Sequence, residues 1–174
     1  MRILIIFGTV EGQTAKIARF LADEARGAGH DVDLIDTADK SASISAADAD
    51  KVILAASVHE RKHPKWFEMC LAAEGDKLAA RDTMLLSVSL MAAFPDTRSE
   101  AQEFVEEMKM RTGFEPATEM LVAGAVRMSS YDYFSTQVLR HVVLRGGKYD
   151  LAEGDHEFTD WEGLKTALSA FLAA

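Results

Sequence analysis

The chain alternates five times between short apolar runs and longer segments in which apolar residues recur at helical spacing. The apolar runs are typical of buried strands and fall at residues 2–7, 31–35, 51–57, 83–89 and 119–126. The third run is continuously apolar over most of its length, as expected of a strand covered on both faces. Strands that alternate with helices in this way are typical of a doubly wound parallel sheet with right-handed crossovers. We therefore expect an α/β fold.

The segments between these runs place their apolar residues on one helical face. Residues 14–28 predict the first helix, which Gly29 would end in a left-handed conformation. Residues 64–80 predict another helix, opened by a proline. The patterns at residues 97–100 and 159–162 match the capping box and predict the starts of two further helices.

Length and composition limit the classes to which the protein can belong. The 174 residues, 48% hydrophobic and 27% charged, suit one well-buried domain over residues 1–174. No apolar stretch reaches the length of a membrane span, and the N-terminus enters a strand rather than an export signal, so we expect a cytoplasmic protein. The net charge of −9 argues against nucleic-acid binding. The single cysteine, Cys70, excludes a disulfide framework and a multi-thiolate metal site.

One segment exceeds a minimal five-strand repeat. Residues 127–158 separate the fifth apolar run from the last helix. Apolar side chains recur at helical spacing over residues 134–144, where Asp132 could cap a helix and the glycines at 146–147 could end it. We expect a helical insertion near strand five, followed by a short return of residues 156–158 to the sheet edge. Connections of this length are usually functional or partly mobile.

The segment between the first strand and the first helix has the composition of a phosphate-binding loop. It reads G-T-V-E-G-Q-T over residues 8–14 and lies at the carboxyl end of its strand, where open parallel sheets bind ligands. A helix N-terminus, two glycines and two threonines supply backbone N–H groups and hydroxyls to a phosphate. We expect the phosphate to be bound by six consecutive residues, namely Thr9, Val10, Glu11, Gly12, Gln13 and Thr14.

The spacing of this loop excludes two common nucleotide sites. A P-loop requires a lysine before its final Ser or Thr, and residues 8–14 contain none. The dinucleotide fingerprint requires G-x-G-x-x-G, which Gly8 and Gly12 do not provide. Without a lysine, N–H groups, hydroxyls and the helix dipole must balance the phosphate charge. This suits a permanently bound monophosphate ester better than a triphosphate with magnesium; the alternative is a glycine-rich turn that binds nothing.

The T-x-E-G-Q-T pattern of residues 9–14 resembles the phosphate motif of flavodoxins. The resemblance implies a flavodoxin-like three-layer sandwich, a five-stranded parallel sheet of order 2-1-3-4-5, and FMN as the cofactor. It also implies that the flavin ring lies against the loops that follow the third and fourth strands. The residues expected to bind the cofactor there are Ser57, Val58, His59, Ser87, Val88, Ser89, Leu90 and Phe94.

Four further motifs narrow the resemblance. Residues 55–57 read A-A-S, residues 87–90 read S-V-S-L, residues 123–127 read A-G-A-V-R, and residues 159–162 read T-D-W-E. In this order around the insertion, they resemble the menaquinone-dependent protoporphyrinogen oxidases, flavodoxin-like enzymes of haem biosynthesis. The resemblance implies an FMN-dependent enzyme that removes hydrogen from protoporphyrinogen IX and passes electrons to a quinone. Because this chemistry belongs to the cofactor, we assign no catalytic side chain.

Cations gather at the predicted ligand-bearing edge although the chain is acidic overall. Arg61, Lys62 and Arg127 follow strands three and five, and we expect them to meet an anionic substrate such as the propionates of a porphyrinogen. The same cations suit an anionic membrane, so peripheral contact with the inner face of the plasma membrane stays open. A solvated cluster at a helix start is an equal alternative. Residues 134–144 could also pack on the domain or on a second subunit of a homo-oligomer.

Two other functions compete with this interpretation. A flavodoxin-like electron carrier or regulatory module would bind FMN without transforming a substrate. An FMN-dependent quinone reductase would take electrons from NADH or NADPH, and such enzymes need no dinucleotide fingerprint. His59 and His63 are spaced as a metal-binding pair, but no third ligand is evident, so we expect no metal site.

Overall fold

A five-stranded parallel sheet forms the centre of the fold. The computed structural model describes residues 1–42, 44–127 and 155–174. The strands are β1 Arg2–Gly8, β2 Asp31–Asp36, β3 Lys51–Ser57, β4 Asp82–Ser89 and β5 Thr118–Ala123. They lie in the order β2-β1-β3-β4-β5, and every neighbouring pair is parallel. The predicted α/β fold and strand order are therefore confirmed.

The described helices cover both faces of this sheet. They are α1 Gln13–Gly27, α2 Lys65–Ala79, α3 Arg98–Thr112 and α4 Trp161–Ala173. Successive side chains of β1 point to opposite faces, as the strand geometry requires. Ile3 and Ile5 pack with α1 and α4, whereas Leu4 and Ile6 pack with α2 and α3. The sheet is thus the middle layer of a three-layer sandwich with two apolar cores, as predicted.

The fifth strand ends earlier than the sequence predicts. The apolar run at 119–126 was expected to be one strand, but β5 stops at Ala123. Beyond Gly124 the chain forms a separate strand, β6 Ala125–Val126, which pairs antiparallel with β7 His156–Glu157. The expected return of residues 156–158 to the main sheet is therefore wrong, because β7 pairs with β6 instead. The helix expected over residues 134–144, with Asp132 and the glycines at 146–147, lies outside the described residues.

Neither predicted capping box forms. Thr97 caps no backbone N–H of α3, because its hydroxyl donates to the carbonyl of Met91 at 2.8 Å. The cap of α4 is Asp160, whose carboxylate accepts from the Gly163 N–H at 2.9 Å. Thr159 instead donates its hydroxyl to the carbonyl of Ala123 at 2.8 Å. This bond ties the start of α4 to the carboxyl end of β5.

Candidate functional site

A cleft opens at the carboxyl ends of β1, β3, β4 and β5, the edge at which open parallel sheets bind ligands. Its walls come from the loop before α1 and from the segments that follow the other three strands. The lining residues are Thr9, Val10, Glu11, Gln13, Thr14, Ser57, Val58, His59, Val88, Ser89, Leu90, Gly124 and Ala125. The structure therefore brings together eleven of the fourteen residues predicted to bind the cofactor. Gly12, Ser87 and Phe94 do not line the cleft.

Gly12 shapes the loop without lining the cleft. Its φ of 89° is left-handed, and it stands at the N-cap of α1. Its N–H donates to the hydroxyl of Thr9 at 3.0 Å, which closes the loop. Because Gly12 has no side chain to cap the helix, the N–H groups of Gln13 and Thr14 have no acceptor within α1. They are the donors that a helix N-terminus offers to an anion.

Two hydroxyls at the cleft are buried without a hydrogen-bond partner among the described residues. Thr14 is 0% exposed, and its Oγ1 has no partner. Oγ of Ser57, at the end of β3, is also buried and has no hydrogen-bond partner among the described residues. An unsatisfied buried hydroxyl costs on the order of 1–3 kcal/mol. The cleft therefore contains two hydroxyls that no other described residue satisfies, and the one on Thr14, beside the free N–H groups of α1, fits a phosphate ester.

The loops after β3 and β4 are held against each other. The Val58 N–H donates to the carbonyl of Val88 at 2.8 Å. His59 and Lys62 then exchange two backbone hydrogen bonds, at 2.9 and 3.0 Å. Both residues between them have positive φ, 48° at Glu60 and 65° at Arg61, as in a two-residue hairpin of type I′. Neither is glycine, so this turn stores backbone strain beside the cleft.

Ser87 and Phe94 are engaged away from the cleft. Ser87 is buried, and its hydroxyl shares a hydrogen bond of 2.9 Å with Nε2 of His63. The ring of Phe94 lies 5.4 Å from that of Phe158, edge to face. Phe94 follows a short 3-10 turn, Met91–Ala93, and joins the loop after β4 to the residues that lead into α4. Both residues shape the walls of the cleft from behind.

The three cations predicted to meet the substrate, Arg61, Lys62 and Arg127, lie in different surroundings. Arg61 lies 3.6–3.8 Å from three glutamates of α3 and 4.9 Å from the ring of Phe104. Arg61 is thus paired with α3, and its role toward a substrate stays a prediction. Lys62 is exposed in the same turn. Arg127 is half-buried, and its Nη2 donates to Oε1 of Gln13 at 3.2 Å, which places it beside the phosphate-binding loop.

Two titratable groups near the cleft, His63 and Glu157, have pKa values below their ordinary values. Burial lowers the pKa of His63 to about 4, so this imidazole is neutral at physiological pH. Burial would raise the pKa of Glu157, but hydrogen bonds from Lys16, Gln13 and Trp161 outweigh it and hold that pKa below its ordinary value.

Within residues 1–42, 44–127 and 155–174, no group of three or more His, Cys, Asp or Glu side chains is arranged to hold a metal ion.

The sequence prediction missed Gly124 and Ala125 as lining residues. They belong to the A-G-A-V-R motif, whose run of small residues was the available signal. The Gly124 N–H donates to the carbonyl of Ser89 at 3.1 Å, and its own carbonyl accepts from the Phe158 N–H at 3.0 Å. A Cβ at this position would stand 3.4 Å from the side chain of Val88. Gly124 therefore joins β4 to the segment before α4, and a Cβ there would lie within ordinary contact distance of Val88 at the cleft.

The fold and this cleft define a flavodoxin-type protein. A family model described as flavodoxin domain matches residues 4–151, and the chain belongs to this family. Flavodoxin 1 from Bacillus cereus has a similar fold, with a TM-score of 0.60 at 15% identity over 99% of this chain and 98% of that one. A mutant of flavodoxin from Pseudomonas aeruginosa gives a TM-score of 0.57 at 14% identity, with 100% coverage of both chains.

Two curated relatives match most of the chain. The protoporphyrinogen IX dehydrogenase [quinone] of Escherichia coli (strain K12) is 25% identical over 164 residues, which cover 93% of this chain and 90% of that protein. The protein of the same name from Leishmania major is 25% identical over 98% of this chain and 74% of its own length. No helix among the described residues has the length and hydropathy that would let it cross a bilayer.

Proposed function

We propose that the chain binds FMN in this cleft and uses it to pass electrons. The observation that carries the proposal is the hydroxyl of Thr14, buried and unpartnered in the first turn of α1. The adjoining N–H groups of Gln13 and Thr14 add donors, and the dipole of α1 favours an anion at this end. The residues that would contact the flavin ring are those of segments 57–59 and 88–90, together with Gly124 and Ala125, which line the same cleft.

We further propose that the substrate is protoporphyrinogen IX and that the acceptor is a quinone. The support is similarity to protoporphyrinogen IX dehydrogenase [quinone] over 93% of the chain. In each round, two electrons and two protons would leave the porphyrinogen and reduce one quinone to the quinol. FMN supplies a centre that takes up and releases electrons singly or in pairs. The protein binds and orients the cofactor and the substrate, and it keeps a neutral His63 behind the cleft.

Arg127 is our candidate for holding an anionic group of the substrate. Its guanidinium is half-buried, and its Nε is buried without a hydrogen-bond partner among the described residues. An Arg fork matches the geometry of a carboxylate, such as a propionate. Lys62 is an exposed cation in the turn after β3 and would contribute long-range attraction.

The second candidate function is that of an electron carrier. The observation that favours it is an acidic face of α3, on which Glu100, Glu103 and Glu107 lie 3.6–3.8 Å from Arg61. Since α3 begins after the carboxyl end of β4, Glu100 in its first turn lies toward the edge of the sheet that holds the cleft. Such a surface would attract a basic redox partner rather than an anionic substrate.

Anaerobic reduction separates the two functions. The FMN-loaded protein is mixed with protoporphyrinogen IX in the absence of oxygen, and flavin absorbance is followed. The proposal predicts bleaching, and then recovery of the absorbance with formation of protoporphyrin when a quinone is added. With FMN at saturating concentration, the Arg127→Met variant should raise the KM for the porphyrinogen more than it lowers kcat.

Complementation extends this experiment to the cell. The chain should restore growth to a strain that lacks its own protoporphyrinogen oxidase. A flavin that stays oxidised with the porphyrinogen and bleaches with a reductase would favour the carrier. Steady oxidation of NADH or NADPH with a quinone would instead support a quinone reductase.

A further inference from the structure

The side chain of Gln13 links the phosphate-binding loop to a distant part of the chain. Gln13 is the first residue of α1, it lines the cleft, and it is only 6% exposed. Its Nε2 donates to Oε2 of Glu157 and to Oγ1 of Thr159, both at 3.0 Å. Its Oε1 accepts from Nη2 of Arg127 at 3.2 Å. Both the oxygen and the nitrogen of this amide are therefore hydrogen-bonded.

The partners of Gln13 flank residues 128–154 on both sides. Arg127 precedes that segment, and Glu157 and Thr159 follow it. Further hydrogen bonds hold Glu157 and Thr159, which follow the segment. Glu157 accepts from Lys16 at 2.6 Å and from the indole of Trp161 at 2.7 Å, and Thr159 donates to the carbonyl of Ala123. One side chain at the phosphate site thus holds the residues before and after segment 128–154 together.

The chemistry of the partners suits an amide at this position. Arg127 offers only donors and Glu157 only acceptors. A side chain between them must therefore accept at one end and donate at the other. Glutamate would place a carboxylate against Glu157, and lysine could not accept from Arg127. Glutamine meets both demands at the length that the 3.0 and 3.2 Å bonds define.

We propose that Gln13 is a positioning residue through which FMN binding and the seating of the two flanks stabilise each other. The inference rests on the proposed binding of FMN to the loop. A bound phosphate fixes the first turn of α1, and that turn carries the amide that holds Arg127 and Glu157. Coupling of this kind is reciprocal, so loss of a flank contact weakens FMN binding although Glu157 does not line the cleft.

The test is a double-mutant cycle on FMN affinity. The dissociation constant is measured by quenching of flavin fluorescence for the parent, Gln13→Met, Glu157→Ala and the double variant. We expect each single change to weaken binding by about five- to tenfold. The double variant should bind FMN no more weakly than the single variant with the lower affinity, because both changes remove the same contact. The two single variants break the contact from opposite ends, so a lower affinity in either folded variant supports the link, and the double variant tests whether the two losses are shared.

The matched control is Glu24→Ala, which removes an ion pair of 2.9 Å between α1 and Lys165 of α4. It should leave FMN affinity unchanged. A purely structural role for Gln13 would lower the melting temperature of each apoprotein and leave the dissociation constants equal. Hydrogen exchange supplies a second readout. FMN should slow exchange of the amides at residues 156–159 in the parent, and this protection should be lost in Gln13→Met.

The outcomes distinguish this inference from the function on which it rests. A parent protein that fails to bind FMN would overturn both. Tight binding by the parent, with equal affinity in Glu157→Ala and full protection of residues 156–159 in Gln13→Met, would overturn the link alone. Additive losses in the cycle would also contradict it, since they would mean that Gln13 and Glu157 act separately.

Discussion

The imidazole of His63 lies with Nε2 2.9 Å from the hydroxyl of Ser87 in the core behind the cleft. His63 is 3% exposed, and its Nδ1 has no hydrogen-bond partner among the described residues. Ser87 lies near the end of β4, just before the loop that lines the cleft, and His63 precedes α2. The pair therefore joins strand and helix at the edge where the ligand is proposed to bind, with a ring that is uncharged.

His63 should make the protein less stable in mild acid. Burial lowers its pKa to about 4, whereas the unfolded chain takes up this proton as the pH falls through about 6.5. The unfolded state thus binds more protons between these values, and stability falls with pH across this window. The loss from this group approaches about 3 kcal/mol near pH 4. Denaturant unfolding of the apoprotein at several pH values measures it.

The control for this prediction is His63→Gln, which can keep a hydrogen bond to Ser87 but cannot titrate. Its free energy of unfolding should depend less on pH between 6.5 and 4 than that of the parent. Parallel pH profiles for the two proteins would show that His63 is not the group responsible.

Removal of the Thr14 hydroxyl should weaken FMN binding selectively. Thr14→Val keeps the shape of the side chain and deletes the unpartnered Oγ1. We expect a loss of about 1–2 kcal/mol in FMN affinity, with a stable apoprotein because no hydrogen bond within the described chain is broken. Thr166→Val on the exposed side of α4 is the matched control and should leave affinity unchanged. Fluorescence titration checks both, and equal affinities would contradict the proposed phosphate loop.

Two glycines should respond to alanine in opposite directions. Gly12 has a φ of 89°, so Gly12→Ala should destabilise the apoprotein by about 1 kcal/mol although no atom lies within 4 Å of a new Cβ. Gly75, inside α2, also has open space around a Cβ and no positive φ. Gly75→Ala should therefore stabilise by about 0.5–1 kcal/mol. Thermal unfolding of both variants measures the difference; the same sign in both would refute the argument.

The cap of α4 gives a further prediction. Asp160→Ala should destabilise the protein by about 1 kcal/mol, because the Gly163 N–H loses its acceptor. Asp160→Asn keeps an oxygen in the same place and should cost much less. Thermal unfolding of the two variants measures the difference. A similar loss in both would assign the effect to charge at the helix N-terminus rather than to the hydrogen bond.

The sheet and the loop could be predicted because local patterns dictate them. Ile3 to Ile6 alternate between two cores, so the first strand has to be apolar on both faces, and this is visible in the sequence. The loop at residues 9–14 combines a left-handed glycine with hydroxyls at fixed spacing. Such features depend on near neighbours, and strand order followed from the resemblance they supported.

The remaining features depend on contacts that the sequence does not show. Thr159 matched a capping pattern, but its hydroxyl donates to a carbonyl of β5 and accepts from the amide of Gln13 instead. Arg61 follows a strand that ends at the cleft, yet three glutamates of α3 hold its guanidinium. In both cases a partner brought near by the fold outweighs the local pattern. Gly124 ended β5 for the same reason, through its bonds to Ser89 and Phe158.

The most direct test of the account is titration of the apoprotein with FMN and, in parallel, with riboflavin, which lacks the phosphate. The account predicts that FMN binds one to one in the cleft and that riboflavin binds far more weakly, since it cannot engage the start of α1 or the hydroxyl of Thr14. No binding of FMN, or equal affinity for the two flavins, would contradict it.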